Sequence, residues 1–247
     1  MPAPLPVTAP SRAVPTRTAA LLLLGDGRLP AGGYAHSAGI EQAIARGWVR
    51  DAADISAYLR GRIHTTGLVS ASFAAAAQHR TALALAMGDL GGLRAQLSVL
   101  DQELLARTPS PALRRNGQEL GRMLLRAMRS IAPTQAPVLD AAGPVLQQPI
   151  AYGVVAAALG LKARDAAGVV LYDAAATPAV AAVKLMSIDP FATHRCLAEL
   201  APELDEIAEV AAAHATSAPQ DLPSLAAPLT DIAAELHSAH DQRLFAS

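Results

Sequence analysis

Leu93, Leu97, Leu100 and Leu104 recur at three- and four-residue intervals, and Leu113, Leu120, Leu124, Ala127 and Ile131 repeat the pattern after Pro111. That spacing places each set on one face of an α-helix. The apolar residues are mostly Ala and Leu, and 52% of the chain is hydrophobic against only 3% aromatic. Ala and Leu favour helices, whereas the β-branched and aromatic residues that favour strands are scarce. The expectation is an all-α chain: one helical-bundle domain of roughly 8–10 helices, given ordinary helix lengths. A core filled with Ala implies close approach between helices.

Punctuation along the chain divides it further. Residues 1–15 are rich in Pro and Ala and read as a mobile N-terminal tail. Thr16 or Thr18 can cap a short helix ending at Leu24, and 25–36 is a loop. Ser37 is expected to cap a helix running to Arg46, with Gly47 just beyond its end. Asp51 or Asp54 starts a longer helix through Ile55, Leu59, Ile63 and Phe73 to His79. Asp89, Gly91 and Gly92 introduce the next, and Pro111 suits the first turn of the one after. Residues 133–149 read as a loop of Pro, Gly and Gln. Helices are expected over 150–160, 162–176, 178–188 and 190–214, with Pro202 a break or a fresh start. Pro219, Pro223 and Pro228 mark a linker before a last amphipathic run over 229–245. The domain expected is 16–218, followed by a loosely attached linker and docking segment, 219–247.

Bulk properties remove several functional classes. A net charge of −1 supplies no field to hold a nucleic acid or an anionic membrane. The single cysteine, Cys196, forbids an internal disulfide or a multi-cysteine zinc site. Arg12 and Arg17 precede an apolar run over 19–24 that is too short for a secretory h-region. No uninterrupted apolar run approaches the roughly 20 residues that span a bilayer. A cytoplasmic protein is expected.

The chemistry-bearing residues are sparse. Gly27 to Gly33 lacks the Gly-Lys-Ser/Thr ending of a phosphate loop. His36 and Ser37 are chain neighbours that face different ways, and no Gly-x-Ser-x-Gly elbow occurs. Cys196 and His194 are two apart on a helix and do not meet. His237 and His240 share a helical face, but two ligands fall short of a metal site. Arg115, Arg122, Arg126 and Arg129 form a basic stripe that fits either a solvated face or an acidic partner. Residues 243–245 place an Arg and an aromatic anchor at the end of the chain, to dock on the parent domain or on a partner. No catalytic, cofactor-binding or metal-ligating set is expected.

Residues 29–41 stand apart. They combine Pro30, Gly32, Gly33, Tyr34, His36, Ser37, Gly39 and Glu41, offsets that generic folding does not require. The segment resembles the Pro-x-Gly-Gly-Phe/Tyr-x-His-Ser-x-Gly-hydrophobic-Glu signature of the UreF family of urease accessory proteins. Leu113, Arg114, Leu120, Gly121, Arg122, Leu124 and Leu125 are similar to its Leu-Arg…Gly-Arg…Leu-Leu helix. Residues 149–153 with 158–161, residues 182–185, and His237 with 243–247 resemble its later segments. The departures are Lys184 for an Arg, 187–190 for Pro-Leu-Gly-Gln, Gln148 for a His, and Ser238 for the Glu that follows His237. A Lys keeps the charge at 184 and loses the planar fork.

The resemblance implies an all-helical, non-enzymatic factor in urease maturation that forms a homodimer. It implies binding to UreD (also called UreH) and to the GTPase UreG, and help in delivering nickel to apo-urease, whose active-site Lys must be carbamylated. Tyr34, His36, Glu41, Arg114, Arg122, His237, Arg243, Leu244 and Phe245 are then the expected partner-binding residues. Glu41 and the Arg residues equally fit structural roles as charge-assisted hydrogen bonders. Two other classes stay open: a metallochaperone binding nickel through surface His residues, and a helical enzyme acting on a small molecule.

Overall fold

A computed structural model describes residues 16–238 and Phe245. All regular structure among them is helical. In order, the α-helices are α1 (Arg17–Leu24), α2 (Ile40–Ala45), α3 (Ala52–Arg62), α4 (Leu68–Met87), α5 (Leu93–Ala106) and α6 (Pro111–Ile131). They continue as α7 (Ala136–Ala142), α8 (Gln148–Ala158), α9 (Ala163–Met186), α10 (Pro190–Ala213) and α11 (Pro228–Ser238). A π-helical turn, Ile63–Gly67, joins α3 to α4 without a break, so the two form one rod.

Starts and stops follow local chemistry. Asp51 caps α3 by accepting from the Asp54 amide, and Ser110 caps α6 by accepting from Leu113. Gly47, with φ 70°, ends α2. Three expectations need correction. Ser37 is not a cap: α2 begins at Ile40, after left-handed backbone at Ala38 and Gly39. The stretch 133–149 is not all loop, since α7 buries Val138, Leu139 and Ala142 within it. The helices expected over 162–176 and 178–188 are one helix, α9, with Pro178 inside it.

Proline in a helix interior leaves the carbonyl four residues back without its amide partner. In α10, Pro202 frees the carbonyl of Ala198, an exposed residue open to water. In α9, Pro178 is buried and frees the carbonyl of Ala174, which accepts instead from Arg62 Nε at 3.1 Å. Each helix thus continues through its proline.

The core is centred on α4 and α8, with α9, α10, α5 and α6 packed around them. Every residue from Ile150 to Ala158 is buried, as are Ala71 and 73–77 of the facing helix. Gly153 lets α8 and α4 approach closely: a Cβ there would lie 2.3 Å from the Ala74 carbonyl oxygen. Leu93, Leu97, Leu100 and Leu104 are buried as their spacing requires. On α6 the buried face runs through Leu120, Gly121, Leu124, Leu125 and Met128, and Ile131 is exposed. By length and apolar composition α9 alone among the described helices could cross a bilayer; more than half of that apolar window is buried within the fold. The described part of the C-terminal segment is docked on the body. α11 lies against α2 and α6, and its Glu235 accepts from the Ser110 hydroxyl and the Ala112 amide.

Candidate functional site

The loop after α1 is shaped by its glycines and by two long-range anchors. Leu29 and Ala31 are buried and pin its start. Gly32 (φ 87°) lies against α6, where a Cβ would come within 2.9 Å of the Met123 side chain. A 3-10 turn, Gly33–Ala35, follows and leaves Tyr34 69% exposed. His36 is half-buried and Ser37 fully buried. Ala38 then adopts φ 53°, a conformation that costs a non-glycine residue about 1–2 kcal/mol. Its carbonyl accepts from the Tyr58 hydroxyl at 2.9 Å and from Arg62 Nη1 at 3.3 Å. The unusual offsets of residues 29–41 thus present Tyr34 outward from a turn held at both ends.

Glu41 lies in the first turn of α2, with Oε2 3.8 Å from Nδ1 of His237 on α11. The other ring nitrogen of His237 donates to the Phe245 carbonyl at 3.2 Å. A carbonyl only accepts, so Nε2 carries a hydrogen in this contact. Phe245 is 9% exposed, and the Lys184 ammonium lies 5.5 Å from the centre of its ring. A compact ammonium suffices for this contact, which does not need the planar fork.

These residues meet at a cavity of about 520 Å³ lined by Tyr34, His36, Tyr152, Tyr172, Lys184 and Phe245. Half of the chain's eight aromatic side chains line it. A smaller cavity of about 200 Å³, lined by Arg62, Arg107, Asn116 and Gln147, adjoins it through His36, Gln148, Asp173 and Thr177. Burial lowers the pKa of His36, and the neighbouring His237 lowers it further against the pull of Glu119. Burial raises the Asp173 carboxyl, against the Thr177 hydroxyl bond and the nearby Arg62. Burial and the Asp173 charge together push the Tyr152 phenol well above its usual value.

Of the residues singled out from sequence, the structure brings Tyr34, His36, Glu41, His237 and Phe245 to one end of the bundle. Arg122 is exposed and pairs with Glu119, the same carboxylate that acts on His36. Arg114 is placed elsewhere: its Nε donates to the Thr108 carbonyl, and its own carbonyl accepts from Gln147. Arg243, Leu244 and His240 lie outside the described residues. The sequence reading passed over Tyr58, Arg62, Asp173 and Tyr172. Tyr58 and Arg62 are i and i+4 on α3, and Asp173 is a lone carboxylate in an apolar stretch of α9, signals visible only in hindsight. No group of three or more His, Cys, Asp or Glu set to hold a metal ion occurs among the described residues. What the arrangement offers is a rigidly mounted, aromatic-lined recess with a tyrosine at its rim, suited to gripping another molecule.

Comparison with known proteins fits that picture. A family model described as UreF matches residues 49–201. A urease accessory protein UreF from Mycolicibacterium vanbaalenii is 39% identical over 229 residues, covering 93% of this chain and 98% of the relative. Proteins of the same name from Mycobacterium marinum and Mycobacterium tuberculosis are 38% and 35% identical over 232 residues, covering 94% of this chain and all of each relative. Identity above one third, sustained almost end to end, shows that this chain belongs to the UreF family of urease accessory proteins.

Proposed function

We propose that this chain is a cytoplasmic, homodimeric scaffold in urease maturation. It binds UreD (UreH) and the GTPase UreG, and couples GTP use to the delivery of nickel, as cargo, to apo-urease. Partner contacts centre on Tyr34, His36 and Arg122, and on the C-terminal segment over 219–247, whose His237 lies beside Glu41 of α2. The observation that carries this reading is the exposure of Tyr34 on a loop otherwise pinned by buried residues, beside the docked Phe245. Exposed aromatics on a rigid mount are the usual anchors of protein interfaces.

The physical logic is a biased equilibrium. A GTPase changes its switch regions on hydrolysis. A scaffold with higher affinity for one switch state shifts the population and so times the release of cargo. Such an adaptor needs selective grip and no bond-making chemistry of its own.

Co-purification with UreD and UreG tests the proposal, using the full chain, a chain ending at residue 238, Tyr34→Ala and His36→Ala. Ending at 238 preserves α11, whose Glu235 caps α6. We expect native helicity in all variants and at least tenfold weaker retention of one or both partners. Undiminished retention by every variant would remove this surface from the interface. Tight stoichiometric nickel binding by the isolated chain in calorimetry would favour a metallochaperone instead.

A further inference from the structure

Arg62 ends α3 and is used by no established part of the protein. Its guanidinium makes two long-range contacts with main-chain carbonyls. Nε donates to Ala174, 112 residues away, and Nη1 donates to Ala38, 24 residues away. Each acceptor is a place where the backbone departs from regular geometry. Ala174 has lost its helical partner because Pro178 has no amide hydrogen. Ala38 is a non-glycine residue in left-handed conformation, directly before the left-handed Gly39 that opens α2. A carbonyl partly withdrawn from water gains from a protein donor, and strained backbone persists only where its surroundings hold it.

The mount of Arg62 is itself constrained. The π-helical turn begins at the next residue, and Gly67 packs so closely that a Cβ there would sit 3.0 Å from the Arg62 carbonyl oxygen. π turns inserted in α-helices are frequent at functional sites. Tyr58, one turn earlier, donates to the same Ala38 carbonyl. The planar fork reaches two acceptors in different directions at once, which a lysine ammonium on a single stem does poorly.

We propose that Arg62 is a positioning residue for partner binding. It ties the turn at Ala38 and Gly39 to the proline break in α9, and so fixes Tyr34 and His36 relative to Tyr172 and Lys184 of that helix. The inference rests on the reading that this loop docks a partner, and its test separates the two. The strut acts through the loop and touches no partner itself.

Hydrogen exchange on the full chain reads the strut directly. Arg62→Gln is expected to speed exchange at least tenfold in peptides covering 32–40 and 174–182, with the rest of the bundle unchanged. Arg62→Lys is expected to be intermediate in exchange and to restore part of the lost partner retention. Pro178→Ala returns an amide partner to the Ala174 carbonyl. In that background Arg62→Gln should still loosen 32–40 and leave 174–182 as protected as in Pro178→Ala alone. Retention of UreD and UreG should fall at least fivefold in Arg62→Gln. Unchanged exchange over 32–40, or a uniform rise across the whole chain, would overturn the proposal. So would loosened exchange with undiminished retention of both partners. If Tyr34→Ala also retains them, the docking reading fails with it; if Tyr34→Ala loses them, only the strut does.

Discussion

The Nε2–H of His237 donates to the main-chain carbonyl of Phe245 across 3.2 Å, and so ties that aromatic residue to α11, the last described helix. His237 is 2% exposed, and its opposite nitrogen faces Glu41 of α2. One imidazole therefore ties Phe245 to α11 and lies beside the helix that follows the signature loop. Tyr34, His36 and Phe245, some two hundred residues apart in sequence, line one cavity.

Removing that imidazole strands the Phe245 carbonyl. A buried acceptor left without its donor costs about 1–3 kcal/mol. His237→Ala is expected to lower the urea midpoint accordingly and to speed removal of C-terminal residues by carboxypeptidase. His237→Gln, whose amide can donate to the same carbonyl, should recover part of both effects. Equal carboxypeptidase rates in wild type and His237→Ala would mean that the hydrogen bond does not hold the C-terminus.

Much of the helical framework is written locally. The Leu spacing of α5, the caps at Asp51 and Ser110 and the glycine after α2 act over a few residues. What could not be read was decided at a distance. Pro178 looks like a helix end until Arg62, from another helix, supplies the missing donor. Ser37 looks like a cap, but the left-handed pair after it delays α2 and leaves Ser37 in the core. In α7 a short apolar set sits among Pro, Gly and Gln residues that signal a loop. The site followed the same division. Spacing marked residues 29–41 as unusual, the terminal aromatic marked Phe245, and family resemblance gave His237 its expected role. Arg62 and Tyr58 serve the site only through contacts that span 20 or more residues, and nothing local announces them.

The contact of Gly153 with α4 gives a sharp packing test. A methyl at 153 would meet the Ala74 carbonyl oxygen at 2.3 Å and the Gln78 amide nitrogen at 2.8 Å, both main-chain atoms that cannot step aside. Overpacking of this kind costs about 1–3 kcal/mol or more. Gly153→Ala should therefore destabilise by at least that amount in urea denaturation. Gly168, inside α9, has nothing within 4 Å of its would-be Cβ. Gly168→Ala should stabilise by about 0.5–1 kcal/mol, because alanine loses less backbone entropy in a helix. Similar effects at both positions would contradict the close approach of α8 to α4.

Asp165, in the first turn of α9, has a pKa below its ordinary value. Burial works to raise it, but the Arg17 guanidinium and the Lys162 amide outweigh burial. A depressed carboxyl contributes stability above its unfolded pKa and loses it as pH falls through the folded value. Asp165→Asn should thus be less stable than wild type at pH 7, with the two denaturation midpoints converging in acid. A gap of constant size from pH 7 down to pH 2 would show that the charge is not the source.

Asp173, two turns further along the same helix, is pulled the other way. Burial raises its carboxyl, only partly opposed by the Thr177 hydroxyl and by Arg62. The folded state then holds the proton more tightly than the unfolded chain, so stability falls as pH rises from the ordinary Asp value, about 3.9, toward the raised one. Asn at 173 keeps an acceptor for Thr177 and carries no charge to desolvate. Asp173→Asn should therefore raise the denaturation midpoint at pH 7, the gain shrinking to nothing below about pH 3.9 where both side chains are neutral. The opposite pH dependence of the two carboxylates of α9 follows from their surroundings, an exposed arginine at one and the polar junction between two cavities at the other. A loss of stability in Asp173→Asn at neutral pH would mean that attraction to Arg62 outweighs desolvation at that junction.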